Sequence, residues 1–141
     1  MTSSDIIKSV GEILIADSTI NSYIRNRCYT KYPLKPNSKS PLITLWIDDI
    51  GVLPGNLPAG NYRFEIGIWN SINNGSSLEV ISTIKDRIRT LVNKNPDTIN
   101  AQGNGTKVRL FDLVSAIMDE DFVGDLKMWY LPCMFDCIIG D

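Results

Sequence analysis

The stretch Gly60–Ser71, GNYRFEIGIWNS, constrains this chain more than any other. Tyr62, Phe64, Ile66 and Ile68 take every second place, with Arg63, Glu65 and Gly67 between them. Strand side chains point alternately to two sides, so a period of two predicts a strand with one buried face. A strand cannot satisfy its own backbone and needs a sheet, and a sheet with one apolar face needs a second layer. The segment Ser77–Val92 supplies one: Leu78, Ile81, Ile84, Ile88 and Leu91 step by three or four residues, as along one helix face. Ser76 followed by Glu79 reads as a capping box that opens this helix. Lys85, Arg87, Arg89 and Lys94 lie toward its far end, where positive charge complements the helix dipole.

Other segments fit around this pair. Asp5 is placed to cap a first helix over about residues 5–16, with Ile6, Val10, Ile13 and Leu14 at helical spacing. Asp17 and Ser18 offer a second cap before the short stripe Ile20, Tyr23 and Ile24. Between Tyr29 and Pro41, three prolines predict a surface loop, made basic by Lys31, Lys35 and Lys39. PLITLWIDD then predicts a strand over Leu42–Asp48, returned by the turn-rich GVLPGNLPAG into the alternating strand as an antiparallel hairpin. Asn93–Thr106 reads as a polar loop. Its GNGTK ending lacks the Gly-Lys-Ser/Thr order that opens a helix in a phosphate loop. A strand begins near Lys107, with Leu113–Met118 open between strand and helix, and DEDFVGD interrupts it. LKMWYLPCMFDCII closes the chain as a last strand; Pro132 cannot donate to a ladder and predicts an edge position or a bulge. The expected fold is α+β, a single two-layer domain over 1–141. It has a mainly antiparallel four-stranded sheet and two helices packed on one face, in the order α-α-β-β-α-β-β.

Composition narrows function chiefly by exclusion. The chain has no histidine, so Ser-His and Cys-His pairs are absent. With 14 Lys and Arg against 16 Asp and Glu, the net charge is -2, and no general basic field exists to hold nucleic acid. Cys28, Cys133 and Cys137 are expected as buried free thiols, since structural zinc needs four Cys or His ligands. The N-terminus lacks the basic flank and apolar run of a signal peptide, and no stretch reaches the roughly 18 apolar residues of a spanning helix. Synthesis in the cytoplasm without a membrane anchor is the expectation. Asn74-Gly75-Ser76 and Asn104-Gly105-Thr106 read as turns rather than glycosylation sites. Asp48 and Asp49, or Asp119, Glu120 and Asp121 with Asp125, could in principle assemble a magnesium site or an acid-base pair. Acids at strand ends more commonly serve as solvated edge protection. No catalytic, cofactor-binding or metal-binding residue is assigned.

In size and in the order of its parts, the chain resembles the bacteriophage tail terminators, also described as tail-completion or head-to-tail joining proteins. The likeness is carried by DIIKSVGEILIAD, INSYIRNRCY, the proline-rich loop into PLITLWID, NYRFEIGIWNS, LEVISTIKDRIRTLVN and the closing strands ending at MFDCIIGD. It spans nearly the whole sequence. The resemblance implies a small sheet with helices against it, a six-membered homo-oligomeric ring in the virion tail or neck, and contacts with the tail tube protein and head connector. It implies no cofactor and no enzymatic activity, and genomic DNA that passes without specific binding. Under it, Trp46, Trp69, Trp129 and Tyr130 become candidate subunit contacts, and Asp119, Glu120, Asp121 and Asp125 a repulsive lumen lining. Two other classes stand beside it: a small carboxylate enzyme dependent on divalent metal, and a small nucleic-acid-binding module.

Overall fold

A computed structural model of the chain describes residues 1–30, 39–48, 57–123 and 125–140. Most of the proline-rich loop, Asp49 and the turn over 50–56 lie outside the described residues. The chain runs α1 (Ser3–Ala16), α2 (Ser18–Ile24), β1 (Cys28–Thr30), β2 (Leu42–Asp48), β3 (Gly60–Ser71), α3 (Ser77–Val92), α4 (Pro96–Asn100), β4 (Val108–Ala116), β5 (Asp119–Val123) and β6 (Leu126–Ile139). The sheet order is β1-β2-β3-β6-β4, with β5 also paired to β6. The described residues form an α+β fold with six strands and four helices, which corrects the four-stranded, two-helix expectation. The β1–β2 pair is parallel; the other pairs are antiparallel. The additions β1, α4 and β5 are three to five residues each, too short to show a periodicity of their own.

The alternating strand sits at the centre. β3 and β6 pair without a slip from Gly60↔Ile139 to Ser71↔Met128. A single-residue slip would turn every apolar side chain to the wrong face. Phe64, Ile66 and Ile68 of β3 and Cys133, Phe135 and Cys137 of β6 are buried in the same core as Ile6, Val10 and Leu14 of α1 and Ile81, Ile84 and Ile88 of α3. Phe111 of β4 stacks on Phe135 at 4.6 Å and meets the Phe64 ring edge-on at 5.4 Å. Leu113 continues β4, so the ambiguous Leu113–Met118 stretch is strand as far as Ala116, with register shifts on the way. Leu78, placed on the apolar stripe from sequence, is 49% exposed at the start of α3.

Pro132 lies in this central strand and neither at an edge nor in a bulge of β6, contrary to expectation. Lys127 O accepts from Ile72 N on the β3 side, whereas Gly140 N donates to Lys107 O on the β4 side. Alternation along an unslipped strand therefore turns the backbone of every even residue, Pro132 included, toward β4 and β5. There β4 ends opposite Cys133 and β5 begins opposite Tyr130. The missing donor faces the gap between two strands, where no ladder bond is required.

Helix ends also depart from the sequence reading. Thr2, not Asp5, is the N-cap of α1, and Asp5 closes the capping box from the third helical position. Thr2 Oγ1 accepts from Asp5 N at 3.3 Å, and Asp5 Oδ2 accepts from Thr2 N at 2.7 Å. Ser76 makes no cap bond, because its backbone is left-handed (φ 56°), so the capping box read from Ser76 and Glu79 does not form. Instead Ser77 Oγ donates to Ser71 O at 2.8 Å and ties α3 to the end of β3.

Asp17 caps α2 through Oδ2 and Ile20 N at 3.0 Å. Its Oδ1 accepts from Arg87 Nε at 2.9 Å, joining α2 to α3 across 70 residues of sequence. The Arg87 hydrogen bond holds the Asp17 carboxyl below its ordinary 3.8, with the Ile20 amide adding to it. A depressed carboxylate contributes stability above its ordinary value that disappears as pH falls through and below it. We expect Asp17→Ala to cost about 1–2 kcal/mol in urea unfolding near neutrality, the range for a lost cap. Between about pH 5 and about pH 2 the urea midpoint should fall more steeply for the parent than for Asp17→Asn.

Candidate interaction surfaces

The sheet face turned away from the helices is built in rows. Leu42, Trp69, Tyr130 and Asp119 stand opposite one another across β2, β3, β6 and β5. The next rows are Thr44, Gly67 and Pro132; then Trp46, Glu65 and Met134; then Asp48, Arg63 and Asp136. The face thus grades from aromatic at one end to charged at the other, where Arg63 and Asp136 form a half-exposed pair at 3.2 Å. Such exposed pairs contribute on the order of 0–1 kcal/mol.

Trp69 and Tyr130 stack with ring centroids 3.9 Å apart. Trp69 Nε1 donates to Thr44 Oγ1 at 2.9 Å, which satisfies the one polar atom of a ring that is 5% exposed. Most of the Trp69 surface is therefore used within the chain. Trp46 and Tyr130 are half-buried on this face. Trp129 points the other way and packs against the helix-side core. The four aromatics proposed from sequence as contacts do not form one patch. Gly67 is what makes the stack possible: a Cβ there would lie 2.6 Å from Thr44 Oγ1 and 2.8 Å from Tyr130 Cε1. We expect Gly67→Ala to lose about 1–3 kcal/mol of unfolding free energy, the usual cost of overpacking. Trp69 fluorescence should shift with it.

The acids singled out from sequence lie along β5 and its turn. Asp119, Glu120, Asp121 and Asp125 are all exposed. The backbones of Asp119 and Asp121 face β6, by the same alternation that places Pro132, so the N–H groups of Glu120 and Phe122 face outward. Each is bonded locally: Asp119 Oδ1 accepts from Glu120 N, and Asp121 Oδ1 from Phe122 N, both at 2.8 Å. Glu120 also pairs with Lys127 at 2.8 Å. This is edge protection by carboxylate. β4 is covered differently. Lys94 N donates to Phe111 O, Asn93 Oδ1 accepts from Leu113 N, and Asn100 both donates to Val108 O and accepts from Val108 N. The loop read over Asn93–Thr106 thus contains α4 and closes most of the β4 edge.

What stays open is the corner where β4 passes into β5. Val114, Ile117, Met118 and Phe122 are exposed there, Ile117 by 75% and Phe122 by 64%. Sequence reasoning missed these residues. The available signal was IMDEDF, in which large apolar side chains are stranded in an acid run that cannot be buried. A second surface was missed as well: an open concavity of about 490 Å3 whose walls include Tyr23, Arg25, Arg27, Lys39, Pro41 and Leu126. Arg27 is held in place by donating to Pro41 O at 3.0 Å and Tyr23 O at 3.2 Å. Arg25 and Lys39 are exposed.

Little else offers chemistry. Among the described residues, no group of three or more His, Cys, Asp or Glu is placed to hold a metal ion. Asp48 is exposed at the end of β2, and its proposed partner Asp49 lies outside the described residues. The GNGTK segment leads into β4 with Gly103 and Gly105 at positive φ, and Asn104 bonds Ser9 Oγ and Glu12 Oε2 of α1. It is a tether to the first helix. All three thiols are free, and burial pushes Cys28, Cys133 and Cys137 up to about 12. We expect a thiol reagent at about pH 8 to label the folded chain slowly and all three cysteines rapidly once urea unfolds it, because the thiolate is the reactive form.

No family model and no curated protein matches the chain. Among solved structures, a chain of "Virion of native gene transfer agent (GTA) particle" superposes with a TM-score of 0.61 at 11% identity. The match covers 95% of this chain and 94% of that one. The two share a fold over nearly their full lengths.

Proposed function

We propose that this chain is a structural virion protein. Copies of it form a ring that ends the growth of a phage-type tail tube and joins the tube to the head connector. The observation that carries the reading is the end-to-end fold likeness to a chain of a gene transfer agent virion. It agrees with the order of parts that resembles tail terminators. The surface is consistent with assembly. The apolar β4–β5 corner is more hydrophobic than a solvated strand end requires, and half-buried Trp46 and Tyr130 leave aromatic area on the outer face.

In this reading the molecule acts by docking and not by catalysis. A head-to-tail contact repeated around a closing rotation makes a ring from one gene product. We propose six copies, with the tail tube protein on one side, connector proteins on the other, and genomic DNA passing through without cofactor or specific recognition. Assembly takes place in the host cytoplasm and ends in the virion. No helix among the described residues is long and apolar enough to cross a membrane.

Size exclusion with light scattering, alone and in the presence of purified tail tubes, tests the proposal. We expect a discrete ring-sized species, or one formed on tube ends and visible by negative-stain microscopy. A monomer that never associates with tubes or connectors would overturn it.

A further inference from the structure

Two surfaces are complementary in charge and in apolar content, and each keeps exposed charged or apolar groups beyond those used within the chain. The first is the β4–β5 corner, where exposed Ile117 and Phe122 flank exposed Asp119, Glu120 and Asp121. The second is the concavity at the end of α2, which carries Arg25, Arg27 and Lys39 between the apolar walls of Tyr23, Pro41 and Leu126. No carboxylate lines it among the described residues. From this pairing, and resting on the ring reading, we infer that the β4–β5 corner of one copy seats in the Arg25–Arg27–Lys39 concavity of the next.

The contact is heterologous: the corner and the concavity are different surfaces of the same chain, so the association can propagate and close. Asp119 and Asp121 remain acceptors while holding their own strand's N–H groups, since an ionised carboxylate offers about four lone-pair sites. Arginine suits the other side because its planar fork can engage a carboxylate with two parallel bonds. Phe122 and Ile117 bring apolar area that charge alone would not supply. Asp119 and Asp121 then face a neighbouring subunit and not a lumen. Arg27 is spared in the test because its guanidinium already holds the backbone of Tyr23 and Pro41.

The experiment uses the full chain in two charge-reversed forms, Arg25→Glu with Lys39→Glu, and Asp119→Lys with Asp121→Lys. Light scattering should show each alone as monomer, because concavity and corner then carry the same sign. Mixed in equal amounts, the two should regain the mass of the parent assembly, since every corner again meets an opposite concavity. The mixture also controls for folding, because a misfolded partner cannot restore assembly. Asp119→Asn with Asp121→Asn keeps an acceptor for each strand N–H, removes the charge, and should weaken assembly at least tenfold at about 0.15 M salt, where charges within about 8 Å of each other are still incompletely screened. Reversed forms that assemble as the parent does, or a mixture that stays monomeric, would overturn the inference and leave the ring reading standing. Unchanged assembly with lost binding of a duplex oligonucleotide in Arg25→Glu with Lys39→Glu would assign the concavity to phosphate instead. A parent chain that never associates would defeat the ring reading itself.

Discussion

The twelve-residue ladder between β3 and β6 is the constraint on which the rest of the structure depends. Because it runs unslipped, one parity of residues on both strands faces the helices and the other faces outward. The helix-side parity carries Phe64, Ile66, Ile68, Phe135 and the two cysteines of β6, and α1 and α3 have nowhere else to bury their stripes. The outward parity carries Gly67, Trp69 and Tyr130, and with them the aromatic stack. β1 and β2 extend this ladder on one side, and β4 and β5 on the other. A shift by one residue would exchange the two faces together, so the register specifies the layers as well as the sheet.

A few polar ties add to the apolar packing that places the helices. Asp17 is the most economical of them, serving at once as the cap of α2 and the partner of Arg87 on α3. Asn104 ties the α4–β4 loop to α1 through Ser9 and Glu12, and Asn100 ties it to the first residue of β4. Asn104 only donates, whereas Asn100 both donates to and accepts from Val108, which lets one side chain stand in for the strand that β4 lacks on its outer side.

Much of this was legible in the residues, and the failures have a common cause. Long periodic segments read correctly: the strand at Tyr62–Ile68, the helix at Ser77–Val92 and the second cap at Asp17 all carry their own pattern. What could not be read was structure set by a distant partner. Cys28–Thr30 becomes a strand only because β2 lies beside it, and DEDFV only because β6 extends past the end of β4. Pro132 was read through its own missing donor, when the deciding fact is a break in the facing strands. Ser76 and Glu79 matched a capping spacing, yet the turn out of β3 forces Ser76 into a left-handed backbone that its side chain cannot use. The surfaces fared similarly, since an aromatic in sequence does not disclose its face, and Trp129 and Trp69 fall on opposite ones.

The carboxylates of β5 have a consequence for how free copies of the chain meet. A chain made in many copies, with an unguarded border strand, would zip onto its sisters through main-chain bonds and grow fibres without end. Here the outward amide groups of Glu120 and Phe122 are already occupied by neighbouring aspartates, so β5 offers no free donor to start such growth.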